Sequence, residues 1–363
     1  MATATESLIE QVTACPLCGS TRLEELEARN LNSRDPARAA RLAELVDDDF
    51  FHAQKLSVCR DCSFVFQSTR PVPEALERLY AHFAGTVAKV TPTAETAVEY
   101  FLVENSKDYV HMPSKALKFL DEHGLLNGVQ SVLELRTYGG GLLAILRERG
   151  VAHIEGAYIQ DFDAELARRL FGIEQLTPFS FARPLSDFEP ALPRYDLILG
   201  YEALTHSRDP VALLGWIRDR LAPAGKAVLF WEPNTPAYRE YMPLEIVFNN
   251  FHMNLLTRDT LVALVERSGG LAVKMFDDYH PSFPSPLYLN AVLRPLAGAD
   301  ASGLRQTVRS PYGEEYYASW LKWDTHPILR PIGKVGRGLR RMARGSVRTV
   351  RTELAPLLRR PKS

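Results

Sequence analysis

Four cysteines, two histidines and one run of glycines hold the residue types and spacings from which chemistry can be built. The cysteines fall in two pairs, Cys15-Pro-Leu-Cys18 and Cys59-Arg-Asp-Cys62, and the chain has no others. Two residues between thiolates let a tight turn aim both sulfurs at one ion. Two such turns complete a tetrahedral all-thiolate shell, the pattern of a zinc site. Gly19 follows the first pair, where the turn needs backbone room. Four cysteine ligands leave no position open for water or substrate, so the Zn2+ expected on Cys15, Cys18, Cys59 and Cys62 is structural. Two disulfides or four unrelated thiols are the alternatives, and the first 20 residues lack the basic start and apolar block of a secretory signal that oxidised pairing would call for. His206, in Glu202-Ala-Leu-Thr-His-Ser-Arg-Asp-Pro210, and His252, in Asn249-Asn-Phe-His-Met-Asn-Leu-Leu-Thr257, titrate near neutral pH when unperturbed. Either imidazole is a candidate general base, and the alternative for each is a structural hydrogen-bonding histidine. Gly139, Gly140 and Gly141 follow an apolar run, where a glycine turn lets backbone approach a ligand or simply turns the chain.

These residues are spread along a chain of 363 residues, 46% hydrophobic and 24% charged, which fits a globular protein of about two domains. From Val129 to Leu293 short apolar runs alternate with amphipathic stretches. Residues 131–135, 154–159, 195–200, 226–231, 272–276 and 288–293 read as strands, and 142–149, 163–171, 210–221 and 257–268 as helices. Alternation of this kind builds a mostly parallel sheet covered on both faces, a doubly wound α/β domain. The last two strands lack room for a helix between them and read as an antiparallel hairpin at the sheet edge. The expected organisation is a zinc-binding module over 1–85, with a charged helical insert at Asp35 to Asp49, then a helical connector over 86–128. The α/β domain spans 129–295, and a C-terminal extension with a basic tail spans 296–363.

The order of elements, with a Gly-rich turn after the first strand of the α/β domain, resembles the class I S-adenosylmethionine-dependent methyltransferases. The four-cysteine module before it resembles that of zinc-containing sugar C-methyltransferases. The likeness covers about residues 12 to 295. It is carried by Val132-Leu-Glu-Leu-Arg-Thr-Tyr-Gly-Gly-Gly-Leu-Leu143, by Ile154 to Ile159, by Tyr195 to Pro210 and by Leu221 to Phe230. It implies a seven-stranded Rossmann-like sheet and S-adenosylmethionine as cofactor, held by Glu134, Tyr138, Gly139, Gly140, Gly141 and Tyr158. Against the family pattern of acid, apolar residue and three spaced glycines, Glu134 and Gly140 match, while Arg136 and Tyr138 replace the first two glycines. Tyr158 stands where the family has the acid that accepts the ribose hydroxyls, and the next carboxylate is Asp161. The resemblance implies methyl transfer to a sugar, glycan-linked or other small-molecule acceptor, with His206 and His252 as candidate bases. The three departures imply the alternative, a catalytically silent methyltransferase fold acting as a binding or scaffold module. Tyr201, Trp231, Glu232, Tyr238 and Tyr241 flank the same edge, as pocket walls or as packing.

Charge narrows the partners. Arg330 to Ser363 contains eleven Lys/Arg and one acid, leaving 32 basic and 43 acidic side chains in the remainder. An acidic body repels phosphate backbones, so no nucleic-acid partner is expected. Ile328, Ile332, Val335, Leu339 and Met342 recur at three or four residues among arginines, a basic amphipathic pattern suited to an anionic membrane surface. The glycines within it leave a solvated tail or a partner-binding arm equally open. The expectation is a cytoplasmic protein with residues 330–363 as a candidate peripheral contact to the inner membrane face.

Overall fold

Alternation of side chains along the central strands divides the core into two layers, and that division explains the architecture. Leu133, Leu135, Ile198 and Leu229 pack on one face, while Val132, Leu197, Leu199 and Val228 pack on the other, all fully buried. The computed structural model describes residues 8–26, 54–81, 106–137, 139–239, 241, 244–248, 251–278, 286–296 and 310–325. Three of the features named above, Tyr138, the Asp35 to Asp49 insert and the basic tail at 330–363, lie outside the described residues.

Two sheets are present among these residues. The first contains β1 (Ile9–Gln11), β2 (Leu23–Leu26), β3 (Lys55–Cys59) and β4 (Val65–Pro71), in the order β1-β4-β3-β2 and antiparallel throughout. The second contains β5 (Ser131–Leu135), β6 (His153–Tyr158), β7 (Leu176–Pro178), β8 (Tyr195–Tyr201), β9 (Leu221–Pro233), β11 (Leu271–Asp278) and β12 (Tyr288–Pro295). Its order is β11-β12-β9-β8-β5-β6-β7. The five strands from β9 to β7 run parallel, and β12 pairs antiparallel with both β11 and β9. This is the expected doubly wound sheet of seven strands with the expected antiparallel hairpin. A short strand, β10 (Asn254–Leu255), pairs with Val65 and Phe66 of β4. A stretch from the α/β half of the chain is thus hydrogen-bonded into the N-terminal sheet.

The helices follow from the same periodicities. In chain order they are α1 (Pro73–Ala81), α2 (Ser106–Glu122), α3 (Gly141–Glu148), α4 (Asp161–Phe171), α5 (Ala203–His206), α6 (Pro210–Arg220), α7 (Thr235–Tyr238), α8 (Leu244–Val247), α9 (Arg258–Ser268) and α10 (Glu314–Thr325). Leu120 of α2, Leu142, Leu143 and Leu146 of α3 and Ala167 of α4 cover one face of the large sheet. Leu213, Leu214 and Ile217 of α6 and Leu261 and Leu264 of α9 cover the other. Asp209 caps α6 by accepting from Ala212 N, and Pro210 supplies its first turn. Thr257 and Thr260 form a reciprocal capping box on α9.

Strand β7 escapes the sequence pattern because it has three residues and ends in Pro178 at the sheet edge. Residues 55–66 hold all of β3, a turn and the start of β4. No described helix is long and apolar enough to cross a membrane.

Candidate functional site

The sheet switches direction between β5 and β8. The chain leaves β5 toward β6 and β7, then returns to β8 on the opposite side of β5. In open parallel sheets ligands bind at such a switch, outside the carboxyl ends of the strands. Here that point carries unusual backbone. Arg136, next after β5, has φ 57, Glu202, next after β8, has φ 48, and Trp231, near the end of β9, has φ 54. Non-glycine residues in the left-handed region cost of order 1 kcal/mol or more and collect where a side chain must be aimed. Arg136 Nη1 donates to Glu202 Oε2 across the switch at 3.0 Å.

Glu202 begins a cluster. His206, one helical turn on, places Nε2 3.4 Å from Glu202 Oε2. His252 packs edge-on against His206, with ring centroids 5.1 Å apart, so the two histidines singled out in the sequence meet although 46 residues separate them. Tyr80 of α1 reaches the same point, its hydroxyl 2.7 Å from His206 Nδ1. His252 Nδ1 lies 3.0 Å from the Val247 carbonyl. His206 is 2% exposed, and burial first, then the Arg136 charge, push it down to about 3. Burial likewise lowers His252. Glu202 is held below the usual carboxylate range because the neighbouring His206 and the Arg136 guanidinium outweigh burial. Near neutral pH the cluster is therefore a carboxylate, a guanidinium and two neutral imidazoles.

Helix α5, which carries His206, is gripped at both ends. Glu232, fully buried, accepts from Leu204 N at 2.8 Å, Thr205 N at 3.1 Å and Thr205 Oγ1 at 2.8 Å. Asn254 Nδ2 donates to Leu204 O at 2.8 Å and Ser207 O at 2.7 Å. Burial raises Glu232 to about 7.

A cleft of about 400 Å³ opens beside the cluster. Tyr80, Tyr158, Ile159, Asp161, Phe179 and Ser180 line it, beyond the carboxyl ends of β6 and β7. Tyr80 joins cleft to cluster, since it lines the first and bonds His206 in the second. Arg183 and Glu77 pair across the rim at 2.7 Å.

The other predicted residues divide between site and scaffold. Glu134 is 2% exposed; Tyr201 Oη donates to its Oε1 at 2.7 Å, and its Oε2 has no hydrogen-bond partner. Burial raises this carboxyl to about 7. Asp163 in α4 is buried beside it and also raised to about 7 by burial. Gly140 has φ 77, and a Cβ there would meet Ala167 Cβ at 2.8 Å. A Cβ on Gly141 would come within 3.1 Å of Pro113. The glycines therefore let α3 approach α4 and α2. Gly139, also buried, has φ 61. Tyr201 stacks on Phe230 and on Trp231, and Tyr238 packs edge-on against Tyr288; none of these lines the cleft. Sequence reasoning missed Tyr80, Glu202 and Asn254 as parts of the cluster. Only Glu202 carried a signal, being one helical turn before His206.

The cysteines form a second, separate site. Cys15 Sγ lies 3.6 Å from Cys62 Sγ and Cys18 Sγ 3.5 Å from Cys59 Sγ, and all four sulfurs lie within 4.8 Å of one another. Zn–S bonds of about 2.3 Å in a tetrahedron set sulfurs about 3.8 Å apart, so the four thiols fit a zinc ion. Each knuckle ends in a left-handed residue four positions after its first cysteine, Gly19 at φ 76 and Ser63 at φ 63. Gly19 N and Ser63 N donate to the carbonyls of Cys15 and Cys59. The two turns are thus built alike.

Comparison with known proteins gives one family match and several distant structural likenesses. A family described as "Methyltransferase domain" matches residues 109–270. Among solved structures, the CcbJ methyltransferase of Streptomyces caelestis is 15% identical, with 61% of this chain and 99% of that one covered and a TM-score of 0.41. The glycopeptide N-methyltransferase MtfA complexed with S-adenosyl-L-methionine is 16% identical, covering 51% and 94%, with a TM-score of 0.38. DesVI of Streptomyces venezuelae is 13% identical, covering 55% and 96%, with a TM-score of 0.40. A search of curated proteins finds no match. The seven-stranded sheet has the Rossmann-like methyltransferase fold.

Proposed function

We propose that the protein is an S-adenosylmethionine-dependent methyltransferase acting on a sugar, glycan-linked or other small hydroxyl-bearing or carbon-acid acceptor. One observation carries the reading: Tyr80 is shared between the cleft beyond β6 and β7, which it lines, and the His206 and His252 cluster at the switch point of a methyltransferase fold, which it bonds. The residues present fit the cofactor. Tyr158, Ile159, Asp161, Phe179 and Ser180 would hold its nucleoside, with Asp161 and Tyr158 facing the ribose hydroxyls. Glu134 Oε2 is buried without a hydrogen-bond partner, and, ionised on binding, it would accept from the cofactor's ammonium group. When bound, the cofactor supplies an electrophilic methyl group on a sulfonium cation.

The chain's own residues do the rest. Glu232 and Asn254 hold α5 so that His206 keeps its orientation. Tyr80 and the Val247 carbonyl engage the Nδ1 atoms of His206 and His252, which turns each Nε2 toward the shared space as the acceptor for the substrate's proton. Burial of the cluster excludes water, so orientation and desolvation supply most of the acceleration. The four-cysteine site binds structural zinc that staples the N-terminal sheet, and β10 ties that sheet to the loop bearing His252.

The test is transfer of a labelled methyl group from S-adenosylmethionine to a panel of sugars and small hydroxyl compounds. The wild type should label an acceptor, and His206→Ala and His252→Ala should lose transfer while retaining adenosylhomocysteine binding. Retained transfer in both folded variants would remove the histidines from the mechanism. A second reading, a methyltransferase fold that binds without catalysing, is favoured by the Arg136–Glu202 pair, which spans the switch point that the cofactor's methionine end would enter.

A further inference from the structure

Glu202, His206 and His252 each offer one donor atom to a common space, and these three atoms all lie within 4.8 Å of one another. We infer that this two-histidine, one-carboxylate cluster is a binding site for a divalent first-row transition ion, separate from the four-cysteine zinc site. Imidazole and carboxylate donors in this ratio suit Fe2+, Co2+ or Zn2+ and leave coordination positions open.

The donors are oriented as metal ligands are. A ligating histidine engages its second ring nitrogen with a backbone carbonyl or another fixed partner, and that contact sets which nitrogen carries the lone pair. Both histidines have such a contact at Nδ1, His252 with Val247 O at 3.0 Å and His206 with Tyr80 Oη at 2.7 Å. The Val247 carbonyl can only accept, so His252 Nδ1 carries its proton and Nε2 is its ligand atom, and the same tautomer at His206, with Tyr80 Oη accepting, would present its Nε2 to an ion. His206 Nε2 is buried without a hydrogen-bond partner and faces Glu202 Oε2 at 3.4 Å. Metal–nitrogen and metal–oxygen bonds of about 2.1 Å in a tetrahedron put neighbouring donors about 3.4 Å apart. This pair is at that spacing without movement.

Arg136 limits the site's affinity. Its guanidinium lies 3.0 Å from Glu202 Oε2 and holds positive charge beside the place an ion would take. Ion and guanidinium compete for one carboxylate, so removing the guanidinium should strengthen binding. An ion there ties up both Nε2 lone pairs, which makes metal occupancy and proton acceptance by these histidines mutually exclusive. A site of this kind gives the proposed reaction a metal inhibitor.

Full-length, zinc-replete protein titrated with Co2+ and read by visible absorption tests this without cofactor or acceptor, so its outcome is independent of methyl transfer. The expected result is one equivalent of Co2+ with visible d–d bands and no thiolate charge-transfer band. His206→Ala and His252→Ala should each abolish those bands, Glu202→Gln should weaken binding at least tenfold, and Arg136→Gln should tighten it at least tenfold. Co2+ bands unchanged in His206→Ala and His252→Ala proteins that fold by circular dichroism would overturn the inference. So would the lack of a second equivalent in both wild type and Arg136→Gln, an outcome that stands even if the histidine variants do not fold.

Discussion

Glu134→Gln should change how stability depends on pH, and the structure gives both sign and size. The carboxyl is 2% exposed, with one oxygen bonded to Tyr201 and the other unpartnered, and burial raises it from 4.5 to about 7. The native state therefore prefers the protonated acid. Below pH 4.5 both folded and unfolded chains carry the proton, and Glu134 costs nothing. Between 4.5 and about 7 the unfolded chain ionises first, so stability falls as pH rises through that window, and above about 7 the loss is constant. At about 1.4 kcal/mol per pH unit the loss is about 3 kcal/mol, with no solvent screening to discount at a buried site. Glutamine keeps the shape of the protonated acid and cannot ionise. Urea denaturation between pH 4.5 and pH 8 should show the variant gaining about 3 kcal/mol over wild type as pH rises. Glu232, also raised to about 7, titrates in both proteins and drops out of the difference, whereas Asp163, raised by burial and in part by the Glu134 charge, is relieved in the variant and adds to the gain with the same sign. A difference that stays flat with pH would refute the assignment of Glu134 as a buried neutral acid.

Further outcomes follow from particular contacts. Tyr158→Asp places a charged acceptor on the cleft wall, and a charge-assisted hydrogen bond to ribose should tighten adenosylhomocysteine binding about tenfold to a hundredfold by calorimetry. Asn254→Ala strips the Leu204 and Ser207 carbonyls of their buried donor; it should cost about 3 kcal/mol in denaturant melts, and Asn254→Asp should not restore it because a carboxylate has no N–H to give. Cys62→Ser, or a strong chelator, should release one equivalent of zinc by elemental analysis and expose the amides of Lys55 to Pro71 to hydrogen exchange.

The parts of the fold that were legible in the sequence are those written in periodicity. The six strands from β5 to β12 that have five or more residues bury alternating or continuous apolar runs, and their intervening helices carry recognisable caps at Asp209 and Thr257. Three-residue β7 is too short for any period to emerge. Two-residue β10 exists because β4 offers it an edge, which is a tertiary fact that Asn254 and Leu255 do not announce locally. The four-cysteine cluster was legible because the spacing of its two pairs is itself the geometry. His206 and His252 were visible as histidines in loops, whereas their meeting depends on β8 and β10 being brought together. Tyr80 was invisible because α1 reaches the cluster from the N-terminal half, 126 residues away from His206. The glycines after β5 show how one residue type serves two demands: Gly140 reads as a cofactor turn, yet its lack of a Cβ is also what lets α4 pack at Ala167.

The account stands most directly on whether the cleft and the switch point accept the cofactor, and isothermal calorimetry of the zinc-loaded protein with S-adenosylmethionine and adenosylhomocysteine measures that. Binding at micromolar concentration, weakened in a variant with the cleft blocked at Ser180, is the predicted result. No heat of binding up to millimolar concentration for either ligand, from protein whose zinc content and thermal melt show it folded, would contradict a methyltransferase and leave a scaffold closed by Arg136 and Glu202.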